Sequence, residues 1–167
     1  MSVTLLPPVL VDKAREVVEA NRKAGRRVAV AESCTGGLVS AAITEIPGAS
    51  EMFEAAFITY SNAAKIGQLK VSEELVETFG AVSVAVAWAM ARGALLASEA
   101  DVAVAITGIA GPGGGSASKP VGTVVFARAE RDADPARIVA DQKLFEEKER
   151  SDVRLQAALC ALELLMP

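Results

Sequence analysis

The segment Asp101–Thr107 (DVAVAIT) constrains the fold most strongly, because it is almost wholly apolar. A strand that is apolar on both faces is typical of the middle of a sheet that has helices on each side. Two other short runs, Arg27–Ala31 and Ala55–Tyr60, are also predicted to be strands. Helical patterns lie between these runs, and strands that alternate with helices indicate an α/β domain.

The rest of the chain extends this pattern. Apolar residues at helical spacing, together with caps and turn residues, predict further helices and two more strands. Six helices are predicted: one that starts after Pro7–Pro8 and ends near Gly25, one over Leu38–Glu45, a short one that Ser61 caps and that carries Lys65, one from Ser72 to Gly80, one over Ser83–Ala97 and one over Arg150–Met166. The two further strands are Val121–Arg128 and Arg137–Phe145. We therefore expect one domain over residues 1–167, with a three-layer α/β/α architecture and a mixed sheet of about five strands.

The chain contains no histidine. This excludes a Ser-His-Asp triad, a Cys-His dyad and every metal site built on histidine. Any hydrolytic chemistry must therefore use Lys, Tyr, Asp or Glu to carry protons, and we expect neither a metal nor a cofactor. Cys34 and Cys160 lie far apart in the chain, which favours a reducing cytoplasm over a disulfide scaffold.

Charge and hydropathy narrow the range of partners. The net charge is −4 and no basic stripe is visible, so we expect no nucleic acid partner. No uncharged apolar run is long enough to span a membrane, and Met1–Pro8 does not resemble a secretory signal. We expect a homo-oligomer, and the Ala-rich helix Ser83–Ala97, which contains Trp88, offers small residues either for that self-association or for simple packing in the core.

Three polar segments follow the predicted strands. They are Ser33–Gly37 (SCTGG), Tyr60–Lys65 (YSNAAK) and Thr107–Gly115 (TGIAGPGGG). Ligands of open α/β sheets gather at the carboxyl ends of the strands, so all three segments are candidates for one site. At the start of a helix, the hydroxyls and free N–H groups of Ser33–Gly37 suit an anion or an oxyanion, although an ordinary N-cap explains the same residues.

The second segment supplies a candidate base. Burial near an apolar sheet edge lowers the pKa of a lysine such as Lys65 and makes it a usable general base, whereas a solvated surface lysine is the alternative. Glu32 either orients Lys65 or is an ordinary solvated carboxylate.

The third segment supplies a candidate anion site. Its glycines can form a nest of backbone N–H groups or a flexible loop. Lys119, Arg150 and Arg154 are candidate phosphate ligands, or else ordinary surface charges.

Taken in order, these motifs resemble one known family. They are AESCTGG (Ala31–Gly37), TYSNAAK (Thr59–Lys65), GAVS (Gly80–Ser83), ITGIAGPGGG (Ile106–Gly115), KPVGTV (Lys119–Val124) and R-x-x-V-R (Arg150–Arg154). These motifs identify the chain as a member of the family of the C-terminal domain of the competence/damage-inducible protein CinA, and the resemblance extends over Val9–Met166. Family members often carry Gly-Asp where this chain has Lys148-Glu149. The larger N-terminal domain of full-length CinA has no counterpart among these residues, so its separate activity is not carried over.

The resemblance implies a nicotinamide mononucleotide amidohydrolase, which forms nicotinic acid mononucleotide and ammonia in pyridine nucleotide recycling. By the same motifs, Ser33 corresponds to the proposed nucleophile. Tyr60, Lys65 and Thr107 correspond to residues linked with catalysis or substrate orientation.

These assignments suggest a Ser–Lys mechanism in which neutral Lys65 takes the proton of Ser33. The groups expected to bind the oxyanion lie in Cys34, Thr35, Gly36 and Gly37, and those expected to hold the phosphate lie in Gly108, Gly111, Gly113, Gly114, Lys119 and Arg150. Two alternatives stay open: an amidase that uses Cys34 as nucleophile with Glu32 and Lys65, and a nucleotide-binding module without catalysis.

Overall fold

The computed structural model describes residues 3–146 and 149–167, so Lys148, one of the two residues that depart from the family pattern, lies outside the described part. The helices of the described residues are α1 (Pro8–Ala24), α2 (Leu38–Thr44), α3 (Asn62–Leu69), α4 (Glu73–Phe79), α5 (Val84–Leu96) and α6 (Arg150–Leu164), with a short 3-10 helix at Ala49–Glu51. The strands are β1 (Val28–Glu32), β2 (Phe53–Ile58), β3 (Val102–Gly108), β4 (Thr123–Glu130) and β5 (Ala140–Leu144).

The strands form one five-stranded mixed sheet in the order β2-β1-β3-β4-β5. β2, β1 and β3 run parallel, whereas β4 and β5 pair antiparallel. β3 is the central strand, and all its residues but the last are buried, which its apolar sequence predicts. The predicted fold class is therefore confirmed.

Alternating side chains along the strands separate two cores. Val104 and Ile106 of β3 face the layer of α1, α2 and α6, whereas Ala103 and Ala105 face α5. Small side chains on this second face allow α5 to pack close to the sheet. The buried face of α5 consists of Val86, Ala87, Met90, Ala91, Ala94 and Leu95. The three alanines of this face thus pack within the chain's own core, as the alternative of simple core packing predicts.

Gly93 allows α5 to touch α3 closely. A Cβ atom at this position would lie 2.1 Å from the carbonyl oxygen of Leu69, the last residue of α3. No residue other than glycine fits such a contact without moving a helix. Since α3 also carries Lys65, this contact sets where the helix of the candidate base lies.

The helix ends follow the expected cap chemistry with one exception. Ser61 accepts a hydrogen bond from the N–H of Ala64, and Ser83 accepts one from the N–H of Val86, so both begin helices as caps. Ser72 occupies the cap position of α4, but its side chain makes no cap hydrogen bond. In the described residues, no helix is both long and apolar enough to cross a membrane.

Candidate active site

The carboxyl ends of the three parallel strands meet at one cavity of about 280 Å³. Ser33 directly follows β1, Tyr60 follows β2, and Thr107 and Gly108 end β3. The lining residues are Ser33, Cys34, Tyr60, Asn62, Lys65, Ala81, Val82, Thr107, Gly108, Ile109, Ala110, Gly111, Gly113, Gly114 and Arg150. The three polar segments that follow the strands therefore all contribute residues to one cavity.

Ser33 and Lys65 are in direct contact. The Nζ atom of Lys65 lies 2.8 Å from the Oγ atom of Ser33, 2.8 Å from the carbonyl oxygen of Thr59 and 3.0 Å from that of Tyr60. Nζ donates to all three oxygens, and the Ser33 hydroxyl donates to the carbonyl of Tyr60 at 3.4 Å. Three acceptors suit the three N–H donors of the ammonium form. Loss of one proton from the amine leaves a lone pair beside the Ser33 oxygen, which is the position that a general base needs.

Burial of Lys65 increases the fraction of its amine that is neutral. Only 1% of the residue is exposed, and no carboxylate in the described residues pairs with its amine. Burial lowers the pKa of the Lys65 amine from 10.5 to about 8, and an opposing effect of a charged Cys34 is smaller. At pH 7 roughly a tenth of the amine is then neutral, against on the order of one part in 3,000 at its ordinary pKa.

Ser33 lies in a tight turn between β1 and α2. Its N–H donates to the carbonyl of Ile106, and its own carbonyl accepts from the N–H of Gly36. Gly36 and Gly37 have φ angles of 57° and 98°, which L-residues with side chains rarely adopt. The turn thus fixes the backbone on both sides of the Ser33 hydroxyl.

Of the four residues expected to bind an oxyanion, Cys34 is the one that lines the cavity. Thr35, Gly36 and Gly37 do not line the cavity, and the N–H of Gly36 is already engaged by Ser33. In contrast, Cys34 lines the cavity, and its N–H has no hydrogen-bond acceptor among the described residues. A free N–H directly after a nucleophile at a strand-to-helix turn is a recurrent oxyanion donor.

Glu32 is neither solvated nor bound to Lys65, so both expectations for it are wrong. Its side chain is fully buried and accepts hydrogen bonds from the hydroxyl of Thr35 (2.7 Å) and the N–H groups of Val39 (3.0 Å) and Ser40 (3.1 Å). The Ser40 hydroxyl donates to the same carboxylate. A carboxylate is favourable at a helix N-terminus, and here it ties the turn after Ser33 to α2.

Arg154 braces the same turn from the side of α6. Its Nε atom donates to the carbonyl of Cys34 and its Nη2 atom to the carbonyl of Thr35, both at 3.0 Å. These bonds engage the guanidinium with backbone oxygens. Arg154 therefore holds the turn rather than lining the cavity, which differs from the expectation of a phosphate ligand.

Arg150 spans the cavity mouth. Its Nη1 atom donates to the carbonyl of Gly111 at 2.7 Å, and its Nη2 atom donates to the Tyr60 hydroxyl at 3.0 Å. Both acceptors are neutral, and within residues 3–146 and 149–167 no carboxylate pairs with this guanidinium. A cation beside the glycine-rich loop is suited to an anionic ligand.

The glycine-rich loop forms one wall of the cavity. Gly108, Gly111, Gly113 and Gly114 all line it, as the sequence predicted. Gly111 has a φ angle of 83°, and a Cβ atom there would lie 2.5 Å from Val121. Gly111 is therefore closely packed against Val121, whereas residues 112–118 are exposed.

Thr107 and Lys119 both hold the segment before α5. The buried hydroxyl of Thr107 donates to the carbonyl of Ala81 at 2.9 Å. Lys119 donates to the carbonyl of Phe79 at 2.8 Å and does not line the cavity, contrary to its expected place near a phosphate. Ala81 and Val82 do line the cavity and were missed, although the GAVS motif marked their position.

Cys34 has the wrong environment for a nucleophile. It is 5% exposed, and burial raises the pKa of its thiol to about 11. At pH 7 on the order of one thiol in 10,000 is ionised, and the thiolate is the reactive form. Within the described residues, no group of three or more His, Cys, Asp or Glu side chains is arranged to hold a metal ion.

Comparison with known proteins shows which family this chain resembles in sequence. The family model of the CinA C-terminal domain matches residues 11–167. The nicotinamide-nucleotide amidohydrolase PncC of Enterobacter agglomerans is 51% identical over 89% of this chain and 88% of its own length. The PncC protein of Pseudomonas putida is 46% identical over 92% of both chains.

Longer relatives and a solved structure agree with this grouping. A CinA-like protein of Syntrophobacter fumaroxidans is 51% identical over 89% of this chain, which spans 34% of that relative's length. The crystal structure of the competence/damage inducible protein CihA from Agrobacterium tumefaciens matches with a TM-score of 0.92 and 44% identity. That match covers 98% of this chain and 97% of the other.

Proposed function

The chain belongs to the CinA C-terminal domain family, and from this premise we propose that it is a nicotinamide-nucleotide amidohydrolase. The reaction hydrolyses the carboxamide of nicotinamide mononucleotide to nicotinic acid mononucleotide and ammonia. Two relatives at 51% and 46% identity carry the name of that activity and match this chain over nearly its whole length. The product belongs to pyridine nucleotide recycling. Cys34 and Cys160 are free thiols, which supports a reducing cytoplasm as its location.

The first half of the reaction uses Ser33 and Lys65. The neutral amine of Lys65 takes the hydroxyl proton of Ser33, and the oxygen attacks the carboxamide carbon. The negative charge that develops on the carbonyl oxygen is stabilised by the N–H of Cys34. The protonated amine of Lys65 then returns its proton to the departing nitrogen, so ammonia leaves and an ester to Ser33 remains.

The second half repeats the same proton transfers with water. Lys65 removes a proton from water, the hydroxide oxygen attacks the ester, and the returned proton restores the Ser33 hydroxyl. The product carboxylic acid ionises at neutral pH. Each positioned proton transfer contributes about 10²- to 10⁴-fold to the rate.

The single observation that carries this mechanism is the 2.8 Å contact between the Lys65 amine and the Ser33 hydroxyl, inside the cavity where the strands end. Pure nucleotide binding requires donors but not a buried amine with a lowered pKa. The environment of Cys34, whose thiol stays protonated at neutral pH, argues against the thiol as nucleophile.

Recognition of the substrate phosphate is proposed for Arg150 and the glycine-rich loop. The guanidinium lies between Gly111 and Tyr60 at the cavity mouth. A phosphate there can replace these neutral acceptors with charged oxygens. Tyr60, whose hydroxyl accepts from Arg150, would then orient the nucleotide rather than move protons.

Ammonia release from nicotinamide mononucleotide tests the proposal. Ser33→Ala and Lys65→Met should each reduce turnover by about 10³-fold or more, because each removes a reacting group. Lys23→Met, which changes an exposed lysine of α1, is the matched control and should retain wild-type turnover. Tight binding of the nucleotide by the wild type without ammonia production over hours would instead support a binding module.

A further inference from the structure

Asn62 is a polar residue of the cavity lining to which the mechanism gives no task. Five other lining side chains carry nitrogen or oxygen atoms, and each makes at least one hydrogen bond within the described residues; they are Ser33, Tyr60, Lys65, Thr107 and Arg150. The side-chain amide of Asn62 makes none in that part of the chain. Its oxygen and its NH₂ group are therefore available to a molecule in the cavity.

The position of Asn62 follows from the way in which α3 begins. Ser61 caps this helix, and Asn62 is its first residue. Lys65 lies three positions later, so the two side chains are neighbours on the same side of α3. Lys65 is buried beside Ser33, whereas Asn62 is exposed. A molecule that extends from Ser33 towards the solvent therefore passes the wall that carries Asn62.

The glycine-rich loop and Arg150 supply a different part of the lining, where Arg150 donates to the carbonyl of Gly111. In the proposed reaction, the carboxamide of the nucleotide lies at Ser33 and its phosphate lies at Arg150. The two ribose hydroxyls are then the substrate's hydrogen-bonding groups that still lack a partner. The amide of Asn62 is the lining side chain that still lacks one within the described residues.

We propose that Asn62 is a specificity-determining residue that recognises the cis 2′,3′-diol of the ribose, an inference that rests on the function proposed above. The Oδ1 atom of Asn62 accepts a hydrogen bond from one hydroxyl, and the Nδ2 atom donates one to the other. A sugar that lacks either hydroxyl leaves half of this amide unpaired in the complex. The site therefore favours ribonucleotides over their deoxy analogues.

Calorimetry on non-hydrolysing variants tests this recognition apart from catalysis. The ligands are nicotinamide mononucleotide and its 2′-deoxy and 3′-deoxy forms. The Ser33→Ala variant should bind the ribonucleotide about tenfold more tightly than either deoxy form, because each deoxy form loses one hydrogen bond. A variant that carries both Ser33→Ala and Asn62→Ala should bind all three ligands with affinities that differ by less than about threefold, since their hydroxyls no longer meet the amide.

Gln68→Ala, combined with Ser33→Ala, is the matched control. Gln68 is another exposed amide on α3, but it does not line the cavity, so this variant should keep the tenfold preference. With Ser33 intact, Asn62→Ala should raise KM about tenfold and leave kcat nearly unchanged, because the diol lies away from the reacting atoms.

Three results would overturn the proposal. One is equal binding of all three ligands by Ser33→Ala, and another is a tenfold preference that persists without the Asn62 amide. The third is a loss in kcat rather than KM, which would mean that Asn62 only seats the helix of Lys65. The proposed function is decided separately by ammonia release from the wild type. Discrimination that depends on Asn62 without ammonia release would support diol recognition and refute the amidohydrolase, whereas absence of nucleotide binding would refute both.

Discussion

The replacement of Lys65 by methionine should stabilise the fold relative to the wild type at neutral pH while it abolishes activity. The amine is 1% exposed, and burial lowers its pKa from 10.5 to about 8. Below pH 8 the folded protein must therefore hold a buried charge or release a proton that the unfolded chain keeps. Methionine has a similar length and carries no charge, so the variant avoids this cost.

The magnitude follows from the difference between the two pKa values. A difference of about 2.5 units corresponds to about 3 kcal/mol at 1.36 kcal/mol per unit. The sign follows from proton binding: between pH 8 and 10.5 the unfolded state binds more protons than the folded state, so wild-type stability rises with pH. The destabilising effect of Lys65 is fully present below pH 8 and disappears near pH 10.5.

Urea unfolding of both proteins from pH 7 to pH 10.5 measures this effect. The carbonyl of Thr59 loses the donor of Lys65 in the variant, whereas the carbonyl of Tyr60 still accepts from the Ser33 hydroxyl. The loss at Thr59 offsets about 1–3 kcal/mol of the variant's advantage at every pH. Because the lost hydrogen bond costs the same at every pH, it does not change how the stability difference between the two proteins varies with pH. The wild type should gain about 3 kcal/mol relative to the variant across the range. Parallel pH profiles for the two proteins would refute a buried amine with a lowered pKa.

The remaining predictions concern catalysis and binding at the same site. The kcat/KM value should rise about tenfold per pH unit below pH 8 and level off above it, because the free amine of Lys65 is the active form; a flat profile from pH 6 to 9 would contradict this. Glu32→Gln should lower kcat by about 10- to 100-fold with little change in KM, because the turn beside the nucleophile loses acceptors for N–H groups. Asn21→Ala, which removes another buried polar side chain far from the cavity, should lower the urea midpoint without this change in kcat. Cys34→Ala should keep most of the ammonia release, and complete loss would favour the thiol as nucleophile. Arg150→Met should raise KM for nicotinamide mononucleotide by about 10- to 100-fold, and an unchanged KM would remove it from phosphate binding.

The fold was predictable because its signals are local. The apolar run at β3 and the short runs at β1 and β2 indicate a buried parallel sheet without any knowledge of distant contacts. The meeting of Ser33 and Lys65 was predictable for a topological reason, since the carboxyl ends of neighbouring parallel strands share one edge of the sheet.

The errors came from side chains whose partners are set by the turn geometry or by distant segments. Glu32 is a strand residue, and its partners are backbone groups at the start of α2, which a residue pattern does not reveal. Lys119 reaches Phe79, forty positions away in the chain. Whether a lysine or glutamate is buried depends on such contacts, so charge and spacing alone left both alternatives open.

The contact between Gly93 and Leu69 has a consequence for how this protein can vary. Any side chain at Gly93 pushes on α3, and movement of that helix shifts the amine that meets Ser33. A substitution at Gly93, which lies on the opposite side of the sheet from α2, is therefore expected to change the turnover rate although Gly93 does not line the cavity. Directed evolution for altered turnover should therefore recover few substitutions at Gly93. A homologue with a larger residue at this position needs a wider spacing between the helices that correspond to α3 and α5.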